Sequence, residues 1–217
     1  MAPALPLSGA MTAEQARAAL AGEGWRDAGA GDWSWALADP GDDWAARVTP
    51  FDPGYRMFAA DCLQGPANRW LPAMAAVMPL LRDGYVVLME RRWPAEPAAA
   101  SAFCAALGIA NDTGYPPPLA GSAVAADDPD LVALRVRIRV RLGEGRARYC
   151  LWAGSDIREG NLMADRRGQL KLVDPVGVAG WKIEYCWPTS PTTSWQTSSP
   201  SPSSAPAARA MPSGRRS

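Results

Sequence analysis

Residues 156–174 read DIREGNLMADRRGQLKLVD. An acid, Asp156, is followed five positions later by Asn161. An apolar pair, Leu162 and Met163, leads into a polar turn, Asp165-Arg166-Arg167-Gly168. An apolar run, Leu170 to Val173, follows and ends on a second acid, Asp174. Turn residues between two apolar runs read as a β-hairpin. The hairpin is predicted to bring Asn161 and Asp174 to one end, beside Asp156. The competing reading is an ordinary surface hairpin with Asp and Asn at its ends.

Such a trio suits metal-assisted phosphoryl transfer. Mg²⁺ takes hard oxygen ligands and keeps several waters, so one carboxylate, one amide oxygen and substrate phosphates suffice to hold it. A further carboxylate can orient an acceptor hydroxyl and take its proton. The arrangement resembles the catalytic and metal-binding loops of the protein-kinase-like superfamily, most closely its aminoglycoside and choline phosphotransferase-like branch. There an Asp-x-x-x-x-Asn element precedes a metal-binding Asp by about this spacing. The resemblance implies ATP and Mg²⁺ as cofactors, Asp156 as catalytic base, and Asn161 and Asp174 as magnesium ligands. Arg158 stands where such loops carry a Lys or His against the transferring phosphate, and it is expected to clamp that anion through bidentate hydrogen bonds. Two departures accompany the match. Gly154 replaces the turn-stabilising His two positions before the acid. Pro175-Val176-Gly177 replaces Phe-Gly after Asp174, which argues against a mobile activation segment.

Working outward, the whole chain of 217 residues is long enough for one domain or two small lobes. Basic and acidic residues both number 22, so no global pull toward nucleic acid or acidic membranes follows. The chain contains no histidine, which excludes Ser-His and Cys-His catalysis and His-ligated zinc. Cys62, Cys104, Cys150 and Cys186 form no C-x-x-C pair and read as buried or incidental thiols in a reducing compartment. The N-terminus lacks the basic start and apolar run of a signal peptide, and Leu71 to Leu81 is too short and Pro-interrupted to span a bilayer. A cytoplasmic protein with no membrane partner is expected.

Before the central stretch, Met1 to Gly9 reads as a frayed arm. Thr12, with Glu14 and Gln15 in the next turn, opens a helix that Gly22 and Gly24 end. Strands are predicted near Trp33 to Ala38 and Trp44 to Val48, joined by the Asp39-Pro40-Gly41-Asp42 turn. Tyr55 to Gln64 is predicted helical, with Tyr55, Phe58, Cys62 and Leu63 inward. Tyr85 to Glu90 reads as a strand. On the resemblance, Gly29 and Gly31 within Ala28-Gly29-Ala30-Gly31 sit in a loop over the nucleotide phosphates, although a plain hairpin turn fits those residues equally. Arg47 takes the place of the phosphate-binding lysine. Met89 and Glu90 mark the hinge whose backbone meets adenine. Asp61, the only acid of its helix, either pairs with Arg47 or faces solvent.

Ala95 to Leu107 is Ala-rich and helical, and Asn111 to Asp130 is a Pro/Gly/Asp-rich loop. Leu131 to Leu142 (LVALRVRIRVRL) alternates Arg with apolar residues, a period of two that argues strand. The kinase-like order of elements requires a helix there, and helix is the expectation adopted. Arg135, Arg137, Arg139 and Arg141 could form a nucleic-acid surface, but a solvated face without interleaved aromatics is expected. From Pro188 to Ser217, 19 of 30 residues are Ser, Thr or Pro, too few apolar groups for that tail to order itself.

These readings combine into an α+β, two-lobed protein-kinase-like fold with a shortened C-terminal lobe. The expected divisions are a flexible arm over 1–10, a small nucleotide-binding lobe over 11–90, a shortened large lobe over 91–187 and a disordered tail over 188–217. The expected activity moves the ATP γ-phosphoryl group to a hydroxyl acceptor on a small molecule or protein. The alternative is a catalytically inactive pseudokinase, a nucleotide- or protein-binding module, which the Arg at position 47 and the missing loop His favour.

Overall fold

The computed structural model describes residues 2–31, 34–109, 127–148 and 153–178. Most of the loop expected over 111–130, the lead-in from Tyr149, and everything beyond 178, including the 188–217 tail, lie outside the described residues.

Helix α1 spans Ala13–Gly22. Its start is a capping box: Thr12 Oγ1 accepts from the Gln15 amide and Gln15 Oε1 accepts from the Thr12 amide at 2.8 Å. Strand β1 (Arg26–Gly31) pairs antiparallel with β2 (Ser34–Ala38), with a register shift between Asp27 and Gly29. Ala28 to Gly31 is therefore bulged edge strand, which corrects the expected loop. A run of small residues leaves a backbone free to pair, and the neighbouring strand takes it up. At the next turn Asp39 Oδ1 accepts from the amides of Asp43 and Trp44, and β3 follows over Trp44–Thr49.

Helix α2 (Pro53–Gln64) starts at Asp52, whose Oδ1 accepts from the Tyr55 amide at 2.9 Å, with Pro53 in the first turn where its missing N–H costs nothing. Tyr55, Phe58 and Ala59 face inward, but Leu63 is 42% exposed, contrary to the expected stripe. It lies in the last turn of the helix, at the border of the buried face, about 40° past Ala59. Strands β4 (Met74–Pro79) and β5 (Tyr85–Glu90) complete a five-stranded antiparallel sheet in the order β1-β2-β3-β5-β4. Both faces of β5 are covered, which explains its unbroken apolar run from Tyr85 to Met89.

One face of the sheet, with Ala46, Val48, Val86 and Leu88, packs on Ala16 and Leu20 of α1. Ala2, Leu5, Leu7 and Met11 pack against this cluster as well, so the segment expected to fray is held by apolar burial. The opposite face carries Ala45, Tyr85, Val87 and Met89 into a larger cluster with α2 and residues from both sides of position 90. Strand β6 (Trp93–Pro94) and helix α3 (Pro97–Leu107) follow. The helix ends on Gly108 at φ 62°, the left-handed conformation that glycine adopts without a Cβ clash.

Helix α4 covers Pro129–Arg148 and resolves the conflict over Leu131 to Leu142. Asp128 Oδ1 accepts from the Asp130 amide at the helix start. Leu131, Leu134, Ile138 and Leu142 form the buried stripe of a helix, whereas Val132, Val136 and Val140 are exposed. The period of two was a property of the arginines, not of the buried face. Nor are the arginines a uniformly solvated row, although Arg139 is exposed. Arg135 donates to the carbonyls of Ala106 and Leu107 at the end of α3, and Arg137 and Arg141 grip Asp61. Asp61 thus pairs neither with Arg47 nor with solvent, which corrects both expectations for it.

Strand β7 (Ala153–Ser155) pairs antiparallel with β10 (Val176–Val178). Between them, β8 (Leu162–Ala164) and β9 (Leu170–Leu172) form the hairpin, with Trp93 and Pro94 of β6 along its outer edge. Its turn is closed by Asp165 Oδ1, which accepts from the amides of Arg167 and Gln169, and by Gly168 at φ 77°. The architecture is α+β, with helices packed on antiparallel sheet. Among the described residues, no helix is long and apolar enough to cross a membrane.

Candidate functional site

Asp156 follows β7, and its amide donates to the Pro175 carbonyl at 3.0 Å, extending the β7–β10 pairing by one bond. A single 3₁₀ turn over Glu159–Asn161 then folds the chain back, with the Asn161 amide donating to the Arg158 carbonyl. The Asn161 side chain reaches Asp156 twice. Its Nδ2 donates to the Asp156 carbonyl at 2.7 Å and to Oδ2 at 2.8 Å. Both partners are acceptors, so the amide orientation is set by chemistry, and Oδ1 is left for a cation or another donor. The Asn161 carbonyl in turn accepts from the Val173 amide at 2.9 Å, which anchors the strand leading to Asp174. Leu162 opposite Leu172 sets the register of that return.

Arg158 is half-exposed, and its Nε lies 3.3 Å from Asp156 Oδ1. Arg47 enters from β3. Its Nη1 donates to Asp174 Oδ2 at 2.8 Å, its Nη2 lies 3.8 Å from Asp52 Oδ2, and its guanidinium stacks over the Tyr55 ring at 3.6 Å from the centroid. Five predicted site residues, Arg47, Asp156, Arg158, Asn161 and Asp174, therefore belong to one connected set: Asn161 and Arg158 contact Asp156, Arg47 contacts Asp174, and Asp156 and Arg158 both act on the Asp174 charge.

The remaining predicted positions are placed differently. Gly29 and Gly31 lie on the edge strand β1, two strands from Arg47. Met89 is buried in the larger core. Glu90 is exposed, and its carboxylate takes Arg92 Nη2 at 2.8 Å. The Glu90 amide donates to Ala73 and the Arg91 amide to Asp43, so these two backbone donors are already engaged.

Electrostatics follow from burial. Burial works against the Arg47 charge, but Asp174, then Tyr55 and Asp52, outweigh it and hold the guanidinium above its ordinary pKa. Asp174 is raised, first by burial, against the opposing pull of Arg47 and with added repulsion from Asp156. Asp52 is pushed up to about 7, first by burial and then by repulsion from Asp174, against Arg47 and the amides of Tyr55 and Gly54. Burial also pushes the thiols of Cys104 and Cys62 up to about 11 and about 12, so neither is a thiolate near neutral pH.

The Asp52 shift has a measurable consequence. In the unfolded chain the group ionises near 3.8, and in the folded chain near 7. Between those values the folded state holds a proton that the unfolded state has lost, so this contribution is fully present below about pH 4. It is lost as pH rises through 7. Asp52→Asn keeps the helix cap and removes the charge. Its melting temperature is expected to gain on wild type progressively between about pH 4 and 7 and to hold that gain at higher pH. A constant difference across that range, read by thermal denaturation, would refute the assignment.

Asp52 and Tyr55 were missed as site residues. Asp-Pro was legible as a helix start, but nothing local says that the capping carboxylate also faces a strand cation. Among the described residues, no group of three or more Cys, Asp or Glu side chains is gathered to hold a metal ion. The donor set at hand is two carboxylates, Asp156 and Asp174, and one amide oxygen. These are hard donors suited to Mg²⁺, which fills its shell with water and phosphate oxygens.

No protein-family model and no curated protein matches the chain. Among solved structures, it is similar to the crystal structure of aminoglycoside phosphotransferase APH(4)-Ia, at 13% sequence identity and a TM-score of 0.33. That match covers 74% of this chain and 69% of the other.

Proposed function

We propose that the chain is a kinase-like phosphotransferase that moves the γ-phosphoryl group of ATP to a hydroxyl. In this reading residues 11–90 form the small lobe and 91–187 a shortened large lobe. The observation that carries it is the double hydrogen bond from Asn161 to Asp156, on a hairpin that returns to an Asp174 already paired with a strand cation. Asp156 is the base: Asn161 fixes its orientation through Oδ2, and Oδ1, which lies 3.3 Å from Arg158 Nε, is the oxygen that takes the acceptor proton. Arg47 and Arg158 neutralise phosphate charge through their planar forks. Asp174 and Asn161 would hold Mg²⁺, which when bound would supply neutralisation of the charge on the transferring phosphate. In such chemistry positioning and electrostatics provide most of the acceleration. With the Glu90 and Arg91 amides engaged, adenine would be met by backbone further along the chain. The finding that both site arginines already have carboxylate partners favours, as a second reading, a nucleotide-binding module without turnover.

Thermal denaturation with ATP and Mg²⁺, together and separately, tests the binding step. Ligand at 100 times its Kd adds about 2.7 kcal/mol, which for a chain of this size raises Tm by roughly 5–10 °C. The rise is expected only with both ligands and is expected to vanish in Asp174→Asn. No shift under any condition would end the phosphotransferase reading. A shift without ADP release would leave the binding module.

A further inference from the structure

Arg47 does more in this geometry than stand where a lysine would. Its Nη1 is seated at 2.8 Å on Asp174 Oδ2, an oxygen of the carboxylate assigned above to the metal. Three features hold it there. The guanidinium sits over the Tyr55 ring at 3.6 Å from its centroid, Asp52 Oδ2 lies 3.8 Å from Nη2, and the Asp52 carboxylate is itself fixed by capping α2. A lysine ammonium, a compact and strongly hydrated point charge, could not bridge two carboxylates while stacked on a ring.

We propose that Arg47 is an internal counter-cation that competes with a divalent ion for Asp174, so that the ion binds well with a nucleotide and poorly by itself; this rests on the phosphotransferase reading of Asp174. A divalent cation and a guanidinium on the same carboxylate repel strongly in a partly buried site. Phosphate changes the balance, because it offers the guanidinium a bidentate acceptor of its own and releases Asp174. Metal and nucleotide then enhance one another by the same factor, whichever is added first. The device makes the metal site conditional on the substrate.

The test uses the full chain and Mn²⁺, whose free concentration is read directly by electron paramagnetic resonance. Arg47→Met alone leaves two carboxylates without their partner and risks misfolding. Arg47→Met combined with Asp52→Asn removes the guanidinium together with one of its two carboxylate partners, keeps the helix cap, and is checked for folding by its melting curve. The double variant is expected to bind Mn²⁺ alone at least about tenfold more tightly than wild type. Adding Asp174→Asn to it is expected to abolish that gain. If wild type takes up Mn²⁺ with ATP in an Asp174-dependent way and the double variant binds Mn²⁺ alone no better, the counter-cation role is wrong and the phosphotransferase reading stands. If wild type takes up no Mn²⁺ with ATP and the double variant gains none alone, both fall. A gain that survives Asp174→Asn places the ion elsewhere and overturns the proposal.

Discussion

Asp61→Ala is expected to lower the melting temperature by roughly 6–12 °C, the equivalent of about 3 kcal/mol. The carboxylate is held between two arginines one helical turn apart on α4. Arg141 Nη2 lies 2.9 Å from Oδ1, and Arg137 Nε donates to Oδ2. The Asp61 and Arg137 side chains are 8% and 12% exposed, so removing the acid leaves the Arg137 guanidinium largely out of water without a counter-charge, while Arg141 keeps Glu144. Arg137 also donates to the backbone carbonyls of Asp61 and Pro66, which ties its position to the end of α2. Replacing Asp61, Arg137 and Arg141 together by apolar residues of similar volume should therefore cost much less than Asp61→Ala alone. Circular dichroism melting curves compare the two. A loss of under about 1 °C for Asp61→Ala would mean that water replaces the carboxylate freely.

Asp156→Asn is expected to lower ATP turnover by about 10²- to 10⁴-fold, the span of a lost general base. Nucleotide affinity should change little. Asparagine has the same shape, and its Oδ1 can still accept from Asn161 Nδ2, so the 3₁₀ turn and the hairpin behind it keep their geometry. The loss should therefore fall on kcat, followed by ADP release at saturating ATP with Mg²⁺ and a panel of hydroxyl acceptors. Unchanged turnover would remove Asp156 from the chemistry. A loss of binding equal to the loss of turnover would make it a structural residue only.

The parts of the protein legible in its sequence are those whose interactions are short in range. The capping box of α1 lies within four residues, and the β8–β9 turn is closed by Asp165 on its own neighbours. Asp156 and Asn161 are five positions apart, so their spacing foretold their contact. Strand β5 announced itself because both faces needed apolar residues. The run of small residues at Ala28 to Gly31 was ambiguous, since glycine permits a loop and a bulged strand alike, and only the pairing partner decides.

The sequence by itself determined α1, α2, α3, β5 and the hairpin that follows Asp156, because capping, turn chemistry and hydrophobic period act over a few residues. The pairing of β1 and β4 and the helical state of α4 were not local properties. Tertiary structure alone decided what the charged side chains do. Arg47 and Asp174 stand 127 positions apart, and Arg137 and Asp61 stand 76 apart. Charges attract through space, without regard to position along the chain. An arginine therefore looks the same in sequence whether it faces water, caps a helix or holds a buried carboxylate. Packing of β3, α2 and the end of the hairpin, which removes those groups from water, selects the partner.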